Sequence, residues 1–349
     1  MDLIPQENPT VAPEASVPAS PKKIAPIIIA IIALLIVGGG AFALMQSGVL
    51  KGGSQATFAG AYEAFTKAKT INLDETVTLE LGLKPGVFGG VAPTDSSAPK
   101  LAAPPLTHVT FSLKGDVDKQ DLNKPRLDAM IKMIVDSPGF ALTYDAEMRL
   151  LSDKDAYFKL NSFPLAGFLP SLPLNQWIHA PISDTDSQSL SQLPYGAGLG
   201  AVDAKKFDEI KKVFDSATLL QLTTRKKGPT TAGEQTEILG FTIPKENLIA
   251  FLKNASSAFG QPMSDDDASD LAKTLDKAEI TGDMIIGRST GRPYAVNYRI
   301  VPNIASLEQY VDRLVLTGTV TFSNYDKPIM IETPTGALEI RNVFQMLLN

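Results

Sequence analysis

From Phe140 to Leu151 every second residue is apolar: Phe140, Leu142, Tyr144, Ala146, Met148 and Leu150 alternate with Ala141, Thr143, Asp145, Glu147, Arg149 and Leu151. A period of two is the spacing of a strand with one dry and one wet face, and no helix satisfies it. The same period recurs in "NLDETVTLELGL" and in "HVTFSLKGDVD", where Val109, Phe111 and Leu113 share a face. It is also present in "RLDAMIKMIVD", "DAYFKLNSF", "QWIHAPI", "AEITGDMIIGRS", "RPYAVNYRIVP" and "RLVLTGTVTFSNYD". "TLLQLTTRKKGPTTAGEQTEILGFTI" reads as a hairpin turning at Lys227–Gly228–Pro229. About ten strands, mostly consecutive, demand an antiparallel arrangement.

Helical spacing interrupts the strands in four places. Phe58, Ala61, Tyr62 and Phe65 predict an amphipathic helix over 56–69. Phe207, Ile210, Val213 and Phe214 predict another in "DAKKFDEIKKVFDSA". "PKENLIAFLKNASSAF" opens with Pro244 in a first turn, and "SDDDASDLAKTLDKA" is capped by Ser264 or Asp265 with acids behind the cap. The expected class is α+β: a large curved antiparallel sheet, a half-barrel, with helices covering its concave face. Two low-complexity stretches, Leu83 to Leu106 and Ser183 to Asp203, read as long loops.

One transmembrane helix is expected ahead of this domain. Ile24 to Met45 carries no charge, and 22 helical residues reach about 33 Å, enough for a hydrocarbon core of about 30 Å. Lys22 and Lys23 precede it and Lys51 follows, which orients the N-terminus to the cytoplasm. The expected order is a disordered cytoplasmic tail 1–23, a transmembrane helix 24–45, a linker 46–55 and an extracytoplasmic domain 56–349. The alternative is a signal peptide cleaved after "AFA", giving a secreted form. The long, acidic, proline-rich segment before Lys22 favours a retained signal-anchor. Gly38 to Gly40 reads as a small-residue helix end.

The chain of 349 residues has a net charge of −6, which argues against a nucleic-acid partner. It has no cysteine, so disulfides, thiolate metal sites and an acylated lipobox cysteine are all excluded. His108 and His179 lack metal-ligand spacing, and no cofactor motif occurs. "YGAGLGA" departs from G-x-G-x-x-G, and "SDDDASD" lacks the glycine and distal glutamate of a calcium loop. "TRKKG" reads as a solvated hairpin tip, and the sequon at Asn254 falls on an expected helix. No nucleophile elbow is present, so the expected protein is no enzyme.

The order of elements resembles the extracytoplasmic proteins with the fold of the lipoprotein carrier LolA and the mycobacterial lipoproteins LppX and LprG. An opening helix runs straight into a strand, "AYEAFTKAKTINLDETVTLEL". A Tyr/Phe strand "DAYFKL" leads to the Trp strand "NQWIHA", and "GEQTEILGFTIPKENLIAFLK" joins a hairpin to a helix. "GDMIIGRSTGRPYAVNYRI" is a strand, a turn at Gly291–Arg292–Pro293, and a strand; "GTVTFSNYDKPIMIETPTGA" closes the domain. The resemblance covers Ala56 to Ala337. It implies a membrane-anchored cell-envelope protein that binds or carries a lipid or other hydrophobic molecule, or a scaffold or sensor whose half-barrel binds an envelope protein. Here a transmembrane helix would replace the acyl anchor.

For the first reading the apolar strand positions Phe111, Leu113, Met133, Phe140, Leu142, Tyr144, Met148, Phe158, Leu239 and Phe241 are the candidate cavity lining. Alternation alone does not distinguish such a cavity from a closed core. "SFPLAGFLPSLPL" places Phe163, Leu165, Phe168, Leu169 and Leu172 among three prolines, which forbid a regular strand or helix interior. These residues are candidates for a lid or mouth, or for a loop packed on the core.

Overall fold

The computed structural model describes residues 58, 60–61, 64–65, 67–84, 106–121, 126–138, 140–151, 155–164, 173–181, 219–258, 262–303 and 311–343. Among them no helix is long and apolar enough to cross a membrane. The run Ile24 to Met45, the expected helix in 203–217, and residues 85–105 and 183–203 of the two long loops lie outside the described residues.

The strands of the described residues form one sheet of twelve, built from two meanders. The first comprises β1 (Thr70–Leu83), β2 (Leu106–Asp118), β3 (Arg126–Ser137), β4 (Phe140–Leu150), β5 (Asp155–Ser162) and β6 (Trp177–Pro181), each antiparallel to the one before. The second comprises β7 (Gln221–Thr231), β8 (Glu234–Thr242), β9 (Glu279–Gly287), β10 (Pro293–Val301) and β11 (Val311–Ser323). β11 pairs antiparallel with β1 and joins the two. β12 (Leu338–Glu339) adds a short parallel edge on β6, and residues 340–343 are helical.

Two helices, α1 (Lys245–Ala258) and α2 (Asp265–Thr274), connect β8 to β9. Ser264 caps α2, its side-chain oxygen accepting from the Asp267 amide at 3.1 Å, and Asp265, Asp266 and Asp267 occupy the positive end of the helix dipole.

The β7–β8 turn lies four residues beyond the expected position. Ala232 and Gly233 form it with φ of 50° and 81°, the two positive values a tight two-residue hairpin turn needs. Pro229 stays within β7, where the register slips between Lys227 and Thr230. An edge strand tolerates proline because its outward amides have no partner to lose.

The core lies over the second meander and β1. Phe58, Ala61 and Phe65 of the opening helical segment, Phe251 of α1, and Leu239, Phe241, Met284, Val296, Val320 and Phe322 of the sheet form one buried cluster. Phe58 meets Phe241 edge-on at 6.3 Å, and Phe65 meets Phe322 edge-on at 5.4 Å. Such pairs add about 0.5–1.5 kcal/mol each beyond the area they bury.

Candidate functional site

Strand register gathers the apolar candidates onto one face. In an antiparallel ladder, directly paired residues point to the same side. One row of partners runs Phe241, Gly282, Tyr298, Gly318, Val77, Phe111, Met133, Tyr144, from β8 to β4. The neighbouring row runs Leu239, Met284, Val296, Val320, Glu75, Leu113, Ile131, Ala146. Met148 pairs with Phe158, and Leu142 with Val135, in rows of the same side. Phe140 takes the matching register position opposite Ser137.

Along these rows the environment changes. Leu239 and Phe241 are 0% and 1% exposed, within the sealed core. Glycines help to seal it. A Cβ on Gly282 would meet Phe241 Cζ at 2.4 Å, and one on Gly318 would meet Tyr298 Cζ at 2.1 Å, so each ring lies across the glycine of the next strand. At the other end Met133 is 39% and Leu142 42% exposed. Phe111, Leu113, Tyr144, Met148 and Phe158 are half-buried. Phe163, a lid candidate, packs edge-on against Tyr144 at 6.3 Å, which places it beside this open half. Partial burial pushes the Tyr144 hydroxyl pKa up. Leu165, Phe168, Leu169 and Leu172 lie outside the described residues.

Three polar arrangements stand out. Glu75 is fully buried among the apolar rows. Desolvation pushes its pKa up to about 7, and the nearby Tyr298 hydroxyl opposes that rise without forming a well-aligned hydrogen bond. Strand alternation carries the signal for this residue, since Glu75 is in phase with Leu73, Val77 and Leu79 in "NLDETVTLEL", but a carboxylate breaks the apolar pattern by which such a face is recognised.

Glu234 is the opposite case. It accepts from the Ser289 and Thr290 amides at 2.7 and 2.8 Å, from the Ser289 and Thr290 hydroxyls, and from Tyr294 Oη at 3.0 Å. Desolvation acts to raise its pKa, but these donors outweigh it and hold the carboxyl down to about 2. This cluster ties the β9–β10 turn to β8. His179 lies between Glu339 at 3.0 Å and Asp155 at 3.2 Å, stacks on Tyr157, and fastens β12 to β6. Its bond to Glu339 is the largest cause of its raised pKa.

Among the described residues no cluster of His, Asp and Glu is arranged to hold a metal. A groove of about 480 Å³ is lined chiefly by polar side chains, among them Thr223, Thr281, Asp283, Asn297, Arg299 and Thr319, and suits an apolar chain poorly.

The chain is similar in structure to two mycobacterial proteins, one of them a lipoprotein. One is LppX of Mycobacterium tuberculosis, at 11% sequence identity and a TM-score of 0.31, over 79% of this chain and 97% of that one. The other is LprF from Mycobacterium bovis, at 12% identity and a TM-score of 0.35, over 80% of this chain and 96% of that one. Likeness at this distance assigns neither a ligand nor a residue role here. No protein-family model and no curated protein matches the sequence.

Proposed function

We propose that this protein binds a lipid or other hydrophobic molecule without chemistry, on the apolar face of β2–β5. The observation that carries the reading is the contrast along one face. Its β8–β11 half is sealed to 0–1% exposure at Leu239 and Phe241, while Met133 and Leu142 stay about two-fifths exposed on the other half. Leaving such side chains in water forgoes about 25 cal/mol per Å² of burial, and a molecule that covers them recovers it. In this reading the sheet curves as a half-barrel and Phe163 stands at the mouth. Ile24 to Met45 tethers the domain 56–349 outside the cytoplasm.

Saturable uptake of the neutral dye Nile red by the full-length protein in amphipol tests the reading. Met133→Asp is expected to weaken uptake at least about tenfold, since a carboxylate in that face costs more than 1.4 kcal/mol. Uptake no greater than that of amphipol alone would end it. The second reading is an envelope scaffold or sensor that offers the same open face to a protein. The burial of Leu239 and Phe241 in one cluster with Phe58, Phe65 and Phe251 favours it, because a core closed over that part of the sheet is what a partner-binding half-barrel needs.

A further inference from the structure

Glu75 occupies the middle of the second apolar row. Val320 of β11 and Leu113 of β2 flank it across the sheet, and Leu73 and Val77 stand beside it along β1 on the same face. Neither of its carboxylate oxygens makes a well-aligned hydrogen bond, and neither does the Tyr298 hydroxyl, although the two groups lie close enough to shift each other's titration. Each unpaired buried polar atom costs about 1–3 kcal/mol. A position that needed only filling would be served at no such cost by valine or leucine, as at Val77 and Leu73.

The pair also stands at a boundary. The Tyr298 ring crosses Gly318 of β11, whose partner on β1 is Val77, so the hydroxyl is carried toward the strand that holds Glu75. On the far side of Glu75, Leu113 and Ile131 are half-buried, and Met133 in the adjoining row is exposed. An apolar chain laid over Met133, Phe111 and Leu113 has its inner end at β1, where the three oxygens of Glu75 and Tyr298 lack a well-aligned partner.

We infer that Glu75 and Tyr298 receive the neutral hydroxyl head of an aliphatic ligand whose chain lies over Leu113, Phe111 and Met133; this rests on the lipid-binding reading above. A hydroxyl both donates and accepts, as does the protonated carboxyl and the phenol. At a pKa of about 7 Glu75 retains its proton in mildly acidic solution. An anionic head would meet a like charge whenever Glu75 ionises. A fixed cation would have to be stripped of water, at several kcal/mol.

The test uses the full-length protein in amphipol and two probes of equal chain length, 1-dodecanol and dodecanoate, in equilibrium binding at pH 6.5. The alcohol is expected to bind about tenfold tighter, the value of one well-made buried hydrogen bond. Glu75→Leu brings the two affinities to within about twofold. Tyr298→Phe keeps the ring over Gly318 and weakens only the alcohol, about three- to tenfold; it decides the matter if Glu75→Leu fails to fold. Glu75→Gln, which keeps a donor and an acceptor, preserves the preference. Equal affinities in the wild type, unchanged by Glu75→Leu or Tyr298→Phe, would overturn the inference and leave the lipid-binding reading standing. Binding of neither probe, with Nile red uptake also absent, would overturn both.

Discussion

Strands β8–β11 and strands β2–β5 offer the same kind of alternating sequence to the same face of one sheet. At Leu239 and Phe241 that face is sealed; at Met133 and Leu142 it is open. The difference lies in what covers each half. Over the second meander, Phe58, Phe65 and Phe251 descend from helical segments, and Gly282 and Gly318 let Phe241 and Tyr298 lie across the neighbouring strand. Among the described residues no comparable set of aromatic rings descends on β3 and β4. Alternation dictates which way a side chain faces; cover depends on elements distant in sequence.

The largest expected effect breaks the symmetry between the halves directly. Phe241→Ala removes a ring from a close-packed core and is expected to lower unfolding free energy by about 3–5 kcal/mol. Met133→Ala, on the same row, is expected to cost less than about 1 kcal/mol. Equal losses in denaturant titrations would mean that both halves are core.

A pH series sharpens the boundary between them. The folded-state pKa of Glu75 is raised above its ordinary value of 4.5 to about 7, so the folded protein holds a proton that the unfolded chain releases. Its contribution is therefore most favourable below pH 4.5 and is lost as pH rises through 7, by up to about 3 kcal/mol. His179 acts in the same direction, its raised pKa adding stability below the unfolded value that fades at higher pH. Glu75→Gln isolates the glutamate: most of the decline between pH 5 and 8 is expected to vanish, and an unchanged slope would place Glu75 in water.

A smaller effect of opposite sign belongs to the sealed half. Glu234, held down to about 2, contributes stability above pH 4.5 that disappears as pH falls toward 2. Glu234→Gln is expected to cost about 1–2 kcal/mol at pH 7 and less than about 0.5 kcal/mol at pH 2, measured by thermal unfolding at both. The smallest change is expected at Met133→Asp, within about 0.5 kcal/mol of the wild type in stability, because a residue already part-solvated loses little on becoming polar.

Much of this architecture was legible where the period was long. The eleven residues of β4 hold their alternation throughout, and the acids of α2 mark its start. Shorter or conflicting signals misled. Pro229 looked like a turn, yet the edge position of β7 absorbs it and Ala232–Gly233 makes the turn instead. β12 has two residues and no period to read. At the candidate site, the shared face of Phe111, Met133 and Tyr144 follows from alternation once register is known. The sealing of Leu239 and Phe241 does not, because it depends on Phe58 and Phe251, some 180 residues upstream and ten downstream.

The central claim is that the open half of the apolar face holds a hydrophobic molecule. Native mass spectrometry of the full-length protein, released from detergent, tests it most directly. The account predicts an adduct of defined mass on the wild type that is absent from Met133→Asp. A wild-type spectrum with the bare protein mass, unchanged after incubation with 1-dodecanol, would contradict it.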